Sequence, residues 1–183
     1  MESCYVCKKK GSFKHLDRSV CKQCFIRNIE RRVKRYLGRK LFKKGDKILV
    51  VGDLVEHLLK RAIKDLPVKI EKKKRLPKDV KKFKWVVIGK TLDELCENFL
   101  LGLFKGELDL RVPAKKFVNI LEPITKEELK KYSQIKKVEY KEEKDNEKIG
   151  KFFKGLSKHK EIKYNLYKNI KELREKVKRG KSK

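Results

Sequence analysis

Apolar side chains come back at helical spacing from the first third of the chain onward. Phe25, Ile29, Val33 and Tyr36/Leu37 recur every three or four residues, which predicts one apolar helix face over residues 24–37. After the turn signal Lys44-Gly45-Asp46, the unbroken run Ile48-Leu49-Val50-Val51 ends in Gly52-Asp53 and reads as a buried strand. Leu54, Val55, Leu58, Leu59, Ala62, Ile63 and Leu66 then keep helical spacing until Pro67, and Val68-Lys69-Ile70 is a short strand. Residues 72–84 are a polar loop broken by proline. A second four-residue run, Trp85-Val86-Val87-Ile88, again ends in a glycine, Gly89, and Leu92, Leu95, Phe99, Leu100 and Leu103 place a helix after it. Two strand-glycine-helix units in succession predict a parallel α/β sheet. One more strand is predicted at residues 118–121, and Thr125-x-x-Glu128 is a capping box opening a helix to about residue 135. Residues 136–146 are mostly charged. Beyond them Phe152, Phe153 and Leu156, then Ile162, Leu166, Ile170, Leu173 and Val177, continue at helical spacing.

Charge changes the picture more than hydropathy does. Lys+Arg number 54 against 25 Asp+Glu, a formal charge of +29, and such an excess calls for a polyanionic partner or full solvation. Charged residues make up 43% where about 25% is usual. The longest apolar runs are four residues, far below the ~20 that cross a bilayer, so no membrane partner is expected. Met1-Glu2-Ser3-Cys4 lacks the layout of a secretion signal, which places the expected setting in a reducing cytoplasm.

Four of the five cysteines stand as Cys4-x-x-Cys7 and Cys21-x-x-Cys24 with thirteen residues between the pairs. Two such knuckles can bring four thiolates onto one tetrahedral ion, so one structural Zn²⁺ held by Cys4, Cys7, Cys21 and Cys24 is the expected cofactor. An iron–sulfur cluster is the lesser alternative, since the compact cysteine run of ferredoxins is missing. His15, between the pairs, is expected at the surface. The helix after Cys24 carries Arg27, Arg31, Arg32, Lys34 and Arg35, and Arg39 and Lys40 extend the stripe. Guanidinium groups pair with phosphate in a forked, bidentate way, so a nucleic acid is the expected partner. Cys96 falls on an apolar helix face and reads as a core thiol.

The order of these parts resembles the ATP-pyrophosphatase-type tRNA sulfurtransferases, the tRNA 2-thiolation family: a ribbon of Cys-x-x-Cys pairs, a basic helix, then Gly-Asp-Lys-Ile-Leu-Val-Val at residues 45–51. Ile-Gly-Lys-Thr-Leu-Asp-Glu-Leu-Cys-Glu at residues 88–97 is similar to the family's Thr-Gly-His-Asn-Leu-Asp-Asp-Glu-Ala-Glu, and Glu122-Pro123-Ile124 with Tyr132 resembles its Pro-Leu and Glu-x-Glu-x-x-x-Tyr stretch. The resemblance implies an α/β fold: an N-terminal zinc ribbon plus basic helix (residues 1–44), a reduced parallel-sheet PP-loop domain like that of adenine-nucleotide hydrolases (45–145), and a C-terminal helical extension (146–183).

Active members follow their first strand with Ser-Gly-Gly-Lys-Asp-Ser, whose backbone N–H groups cradle ATP phosphates. Here Val51 runs directly into Gly52 and Asp53, a degenerate nucleotide loop, and the family's later cysteines are absent from residues 72–84 and 136–146. The expectation is therefore a non-enzyme: a tRNA-binding, non-catalytic subunit that supports 2-thiolation of the wobble uridine by an active sulfurtransferase homologue, in a hetero-oligomer. The alternatives are a stand-alone minimal tRNA sulfurtransferase and a zinc-ribbon RNA-binding module of the translation apparatus.

Overall fold

The N-terminal ribbon is an antiparallel hairpin of β1 (Phe13–His15) and β2 (Arg18–Val20), in which Phe13 pairs with Val20 and His15 with Arg18. The computed structural model describes residues 2–15, 17–38, 41–109, 114–140, 149 and 161–180. Cys21 ends the ribbon and begins α1 (Lys22–Leu37): its backbone is extended, and its sulfur accepts the Cys24 N–H at 3.5 Å. That is the N-cap role more often filled by Ser, Thr, Asp or Asn. The apolar period of the sequence puts Phe25, Ile29, Val33 and Leu37 on the buried face of α1.

The body is one all-parallel sheet of β3 (Lys47–Val51), β4 (Lys69–Lys73), β5 (Trp85–Ile88) and β6 (Phe117–Asn119), in the order β4-β3-β5-β6. Helix α2 (Asp53–Ala62) follows β3 and α3 (Leu92–Lys105) follows β5, as the two strand-glycine-helix units predict. The expected capping box at Thr125 and Glu128 is complete and opens α4 (Lys126–Lys136); a second, Thr91 with Glu94, opens α3. The last element is α5 (Ile162–Gly180). Strand β4 extends three residues beyond the predicted Ile70. It is an edge strand of the sheet, and its Glu71 and Lys73 reach the exposed Lys82 and each other in water. Phe152, Phe153 and Leu156 lie outside the described residues.

The ribbon and the α/β body share one core. Cys4 and Val20 of the ribbon, Phe25, Ile29 and Val33 of α1, Leu58 and Leu59 of α2, Leu129 and Tyr132 of α4, and Ile48 and Val50 of β3 form one buried cluster. The physical reason is the apolar face of α1, which is as wide as a sheet-covering helix needs and forms one wall of the common core. On the sheet's other face Leu49 and Val86 pack under Phe83. A smaller cluster joins Cys96 and Leu100 of α3 to Ile170 of α5.

Candidate active site and metal centre

The direction in which the chain leaves each central strand determines where a ligand fits. From β3 it passes through α2 to β4 on one side, and from β5 through α3 to β6 on the other. The crevice between the carboxyl ends of β3 and β5 is thus a topological switch point, the general ligand position of open α/β sheets. Gly52 stands there as the N-cap of α2 with φ 99°, a left-handed conformation suited to glycine, and a Cβ would meet nothing nearer than Val55 at 3.7 Å. Side chains cap α1, α3 and α4, whereas Gly52 gives α2 no side-chain cap and the first turn of α2 carries Asp53 and Glu56. Asp53 is held by Lys72 Nζ at 2.6 Å, and that hydrogen bond keeps its carboxyl below the usual range.

Across the crevice, Gly89 is required by close packing: an added Cβ would lie 2.3 Å from Val55 Cγ2 and 2.7 Å from Leu121 Cδ1. The next residue is pinned by a reciprocal pair of bonds, Lys90 N–H to Asn119 Oδ1 and Asn119 Nδ2 to Lys90 O, each 2.8 Å. Lys72, Lys90 and Asn119 are rim residues that sequence reasoning missed. Only the strand register, which aligns the ends of β4, β5 and β6, brings them together.

The four ribbon cysteines do converge. Their sulfurs all lie within 4.8 Å of one another, with Cys7 Sγ 3.7 Å from Cys21 Sγ. Cys4 and Cys24 are buried while Cys7 is exposed, so the centre is open to solvent on one side. Burial works to raise the Cys4 thiol, but backbone N–H groups of Cys7, Cys21 and Val6 outweigh it and bring the thiol down to about 6. Cys24 is pushed up to about 12 by burial and by the crowding sulfurs of Cys21, Cys7 and Cys4. Four thiolates this close repel one another unless a cation joins them, which is the chemistry of a metal centre.

The other sequence-based site residues divide. Arg27, Arg31, Lys34 and Arg35 are exposed along α1, as a phosphate-binding stripe needs, whereas Arg39 and Lys40 lie outside the described residues. Arg32 is corrected: it turns inward, where its guanidinium donates to both Glu128 oxygens, to the Pro123 carbonyl and to Tyr164 Oη, the last at 3.2 Å. His15 is corrected as well, since it is buried with Nε2 2.7 Å from Glu128 Oε1. Both miss the surface because Glu128, on α4, is a buried carboxylate that needs cationic or donor partners. Burial works to raise Glu128, but the bonds from His15 and Arg32 dominate and hold it down to about 2. Cys96 is fully buried, and burial followed by the nearby Asp93 pushes its thiol up to about 12, so it is a core thiol, as its position on the helix predicted.

Among solved structures the chain is similar to the U34-tRNA thiolase NcsA from Methanococcus maripaludis with its [4Fe-4S] cluster, at a TM-score of 0.75 and 18% identity, covering 96% of this chain and 88% of that one. No family model and no curated protein matches. The likeness establishes the fold, the α/β architecture with an N-terminal cysteine cluster. It overturns two expectations. The first is that the chain is not an enzyme: its fold is that of a thiolase over nearly its whole length. A shortened loop at Gly52 changes how phosphates would be held, but it does not by itself exclude activity on this fold. The second is zinc. The similar structure carries a [4Fe-4S] cluster, and four thiolates are the ligand set of such a cluster as much as of a single ion, so the Cys-x-x-Cys spacing did not discriminate. Among the described residues no helix is long and apolar enough to cross a membrane.

Proposed function

We propose that this chain is a tRNA thiolase, an ATP-dependent enzyme that places sulfur on the wobble uridine of tRNA. The observation that carries the reading is the whole-chain likeness to the U34-tRNA thiolase, on a fold whose switch-point crevice and four gathered thiols are both intact. In this reading the N-terminus of α2 binds the phosphates of ATP, with Lys90 at the rim as a countercharge. Gly52 leaves room for a phosphate to approach the backbone, and Asn119 keeps the Gly89-Lys90 turn in shape. Adenylation would turn the uridine carbonyl oxygen into a leaving group. Cys4, Cys7, Cys21 and Cys24 would hold an iron–sulfur cluster, one thiolate to each iron, anchored beside the start of α1. Arg27, Arg31, Lys34 and Arg35 would contact tRNA phosphates.

The test is a reconstituted reaction. Protein loaded anaerobically with iron and sulfide is mixed with ATP, sulfide and an unmodified tRNA transcript, and the digested nucleosides are analysed by mass spectrometry. ATP-dependent 2-thiouridine at position 34 is expected. Its complete absence, under conditions where an established thiolase modifies the same transcript, would refute the reading.

A further inference from the structure

Away from the crevice, a cleft of about 510 Å³ opens between the ribbon, where Tyr5 next to Cys4 forms part of its wall, α1 and α5, within the size range of small-molecule sites. Its walls are aromatic: Tyr36 comes from α1, and Tyr164 and Tyr167 from α5. Its charges are internally paired. Arg32 is neutralised by Glu128, and Glu122 accepts from Tyr36 Oη while forming an ion pair with Lys171 at 3.1 Å. The Lys171 ammonium lies 5.7 Å from the Tyr36 ring centroid and 5.6 Å from that of Tyr167, which sets the two rings on either side of one cation. Asn28 Oδ1, in the same wall, is shielded from solvent and has no hydrogen-bond partner among the described residues.

We infer that this cleft receives one unstacked nucleobase of the bound RNA, an inference that rests on the tRNA reading above. An aromatic, charge-balanced interior does not suit phosphate, but it suits the flat face of a base, and single-stranded RNA is recognised by splaying bases onto such side chains. Its border suits the backbone. On a helix of about 100° per residue, Arg31 and Arg35 fall within about 60° of Asn28, so exposed guanidinium groups flank the opening where phosphates 5′ and 3′ to the base must run. Asn28 Oδ1 offers an acceptor to a base N–H, either an exocyclic amino group or a ring imino group. Because the cleft is lined mainly by ribbon, α1 and α5 residues and not by the Gly52 and Gly89 turns, its role is to position the RNA.

The experiment uses the full chain and two probes: a single-stranded RNA decamer with a central 2-aminopurine, and the same decamer with an abasic site there. Stacking should quench the 2-aminopurine fluorescence, and removing the base should weaken binding about tenfold or more. The double variant Tyr36→Ala/Tyr167→Ala should reproduce that loss, whereas Tyr36→Phe/Tyr167→Phe, which keeps the ring faces, should bind nearly as the parent does. Equal affinity for the two decamers with no quenching overturns the cleft assignment, and because that comparison uses the parent protein it holds even where the alanine variant fails to fold. If tRNA is thiolated normally by the alanine variant with unchanged affinity, the cleft falls and the thiolase reading stands. Quenching by the cleft without any thiolation of tRNA leaves the cleft and removes the thiolase.

Discussion

Replacing Glu128 with Gln is the sharpest perturbation of the architecture, because one carboxylate meets the ribbon through His15, α1 through Arg32, and its own helix through the Thr125 capping box. Gln also satisfies a capping box, so the substitution removes charge and leaves the start of α4 in place. In the folded protein the carboxyl is held at about 2 against 4.5 for a free glutamate, and at about 1.4 kcal/mol per pKa unit this corresponds to roughly 3 kcal/mol. Loss of one partner of a buried pair is typically about 3–5 kcal/mol, which agrees. A folded-state pKa below the unfolded one contributes stability that is complete above about pH 4.5 and is lost as pH falls through about 2. Urea unfolding of parent and Glu128→Gln proteins, followed by helical circular dichroism, should therefore differ by about 3 kcal/mol at pH 7 and by about half of that at pH 3. Acid lability of the thiolate centre is common to both proteins and cancels in the difference. For a chain of this size the thermal midpoint should fall by about 6–12 °C. A difference under about 1 kcal/mol at pH 7, or one that persists undiminished at pH 3, would show that the network does not hold these layers together.

Two further outcomes test the cysteines and the arginines. Protein purified anaerobically should contain iron and acid-labile sulfide and lose both in Cys21→Ser, which should also lower the stability of the whole chain because Cys4 and Cys24 belong to the common core; a metal content without iron would overturn the cluster. Alanine at Arg27, Arg31, Lys34 and Arg35 together should reduce the salt dependence of tRNA binding by about 3 in log-log slope, at 0.7–0.9 per lost phosphate contact, with urea stability near that of the parent, and an unchanged slope would make the stripe a solvated face.

Local signals located the four strands of the parallel sheet and the helices after them, but not the short β1 and β2 of the ribbon. The period of α1, the runs ahead of Gly52 and Gly89, and the Thr125 box are all decided within a few residues, and they reappear nearly residue for residue. What local reading could not reach were pairings across the fold. Arg32 looks like its neighbours along the helix, and only the arrival of Glu128, 96 residues later, turns it inward. His15 was misplaced for the same reason, at a separation of 113. Lys90 and Asn119 meet because β5 and β6 are in register, a fact about the sheet. The metal was missed for a different reason, since thiolate spacing specifies a ligand set and leaves the ion open.

The common core also bears on the order of events during synthesis. The apolar face of α1 is made early, but the side chains that cover it include Leu129 and Tyr132 of α4. At translation rates of about 5–20 residues per second, Val33 waits roughly 5–20 s before Tyr132 exists. Through that interval a helix with a wide apolar face and a strongly basic back lacks the α4 part of its tertiary cover in a cell full of RNA. Folding of the ribbon and helix is therefore completed after translation of the body, through contacts more than ninety residues apart, and the slow step of such a chain is closure of those long loops.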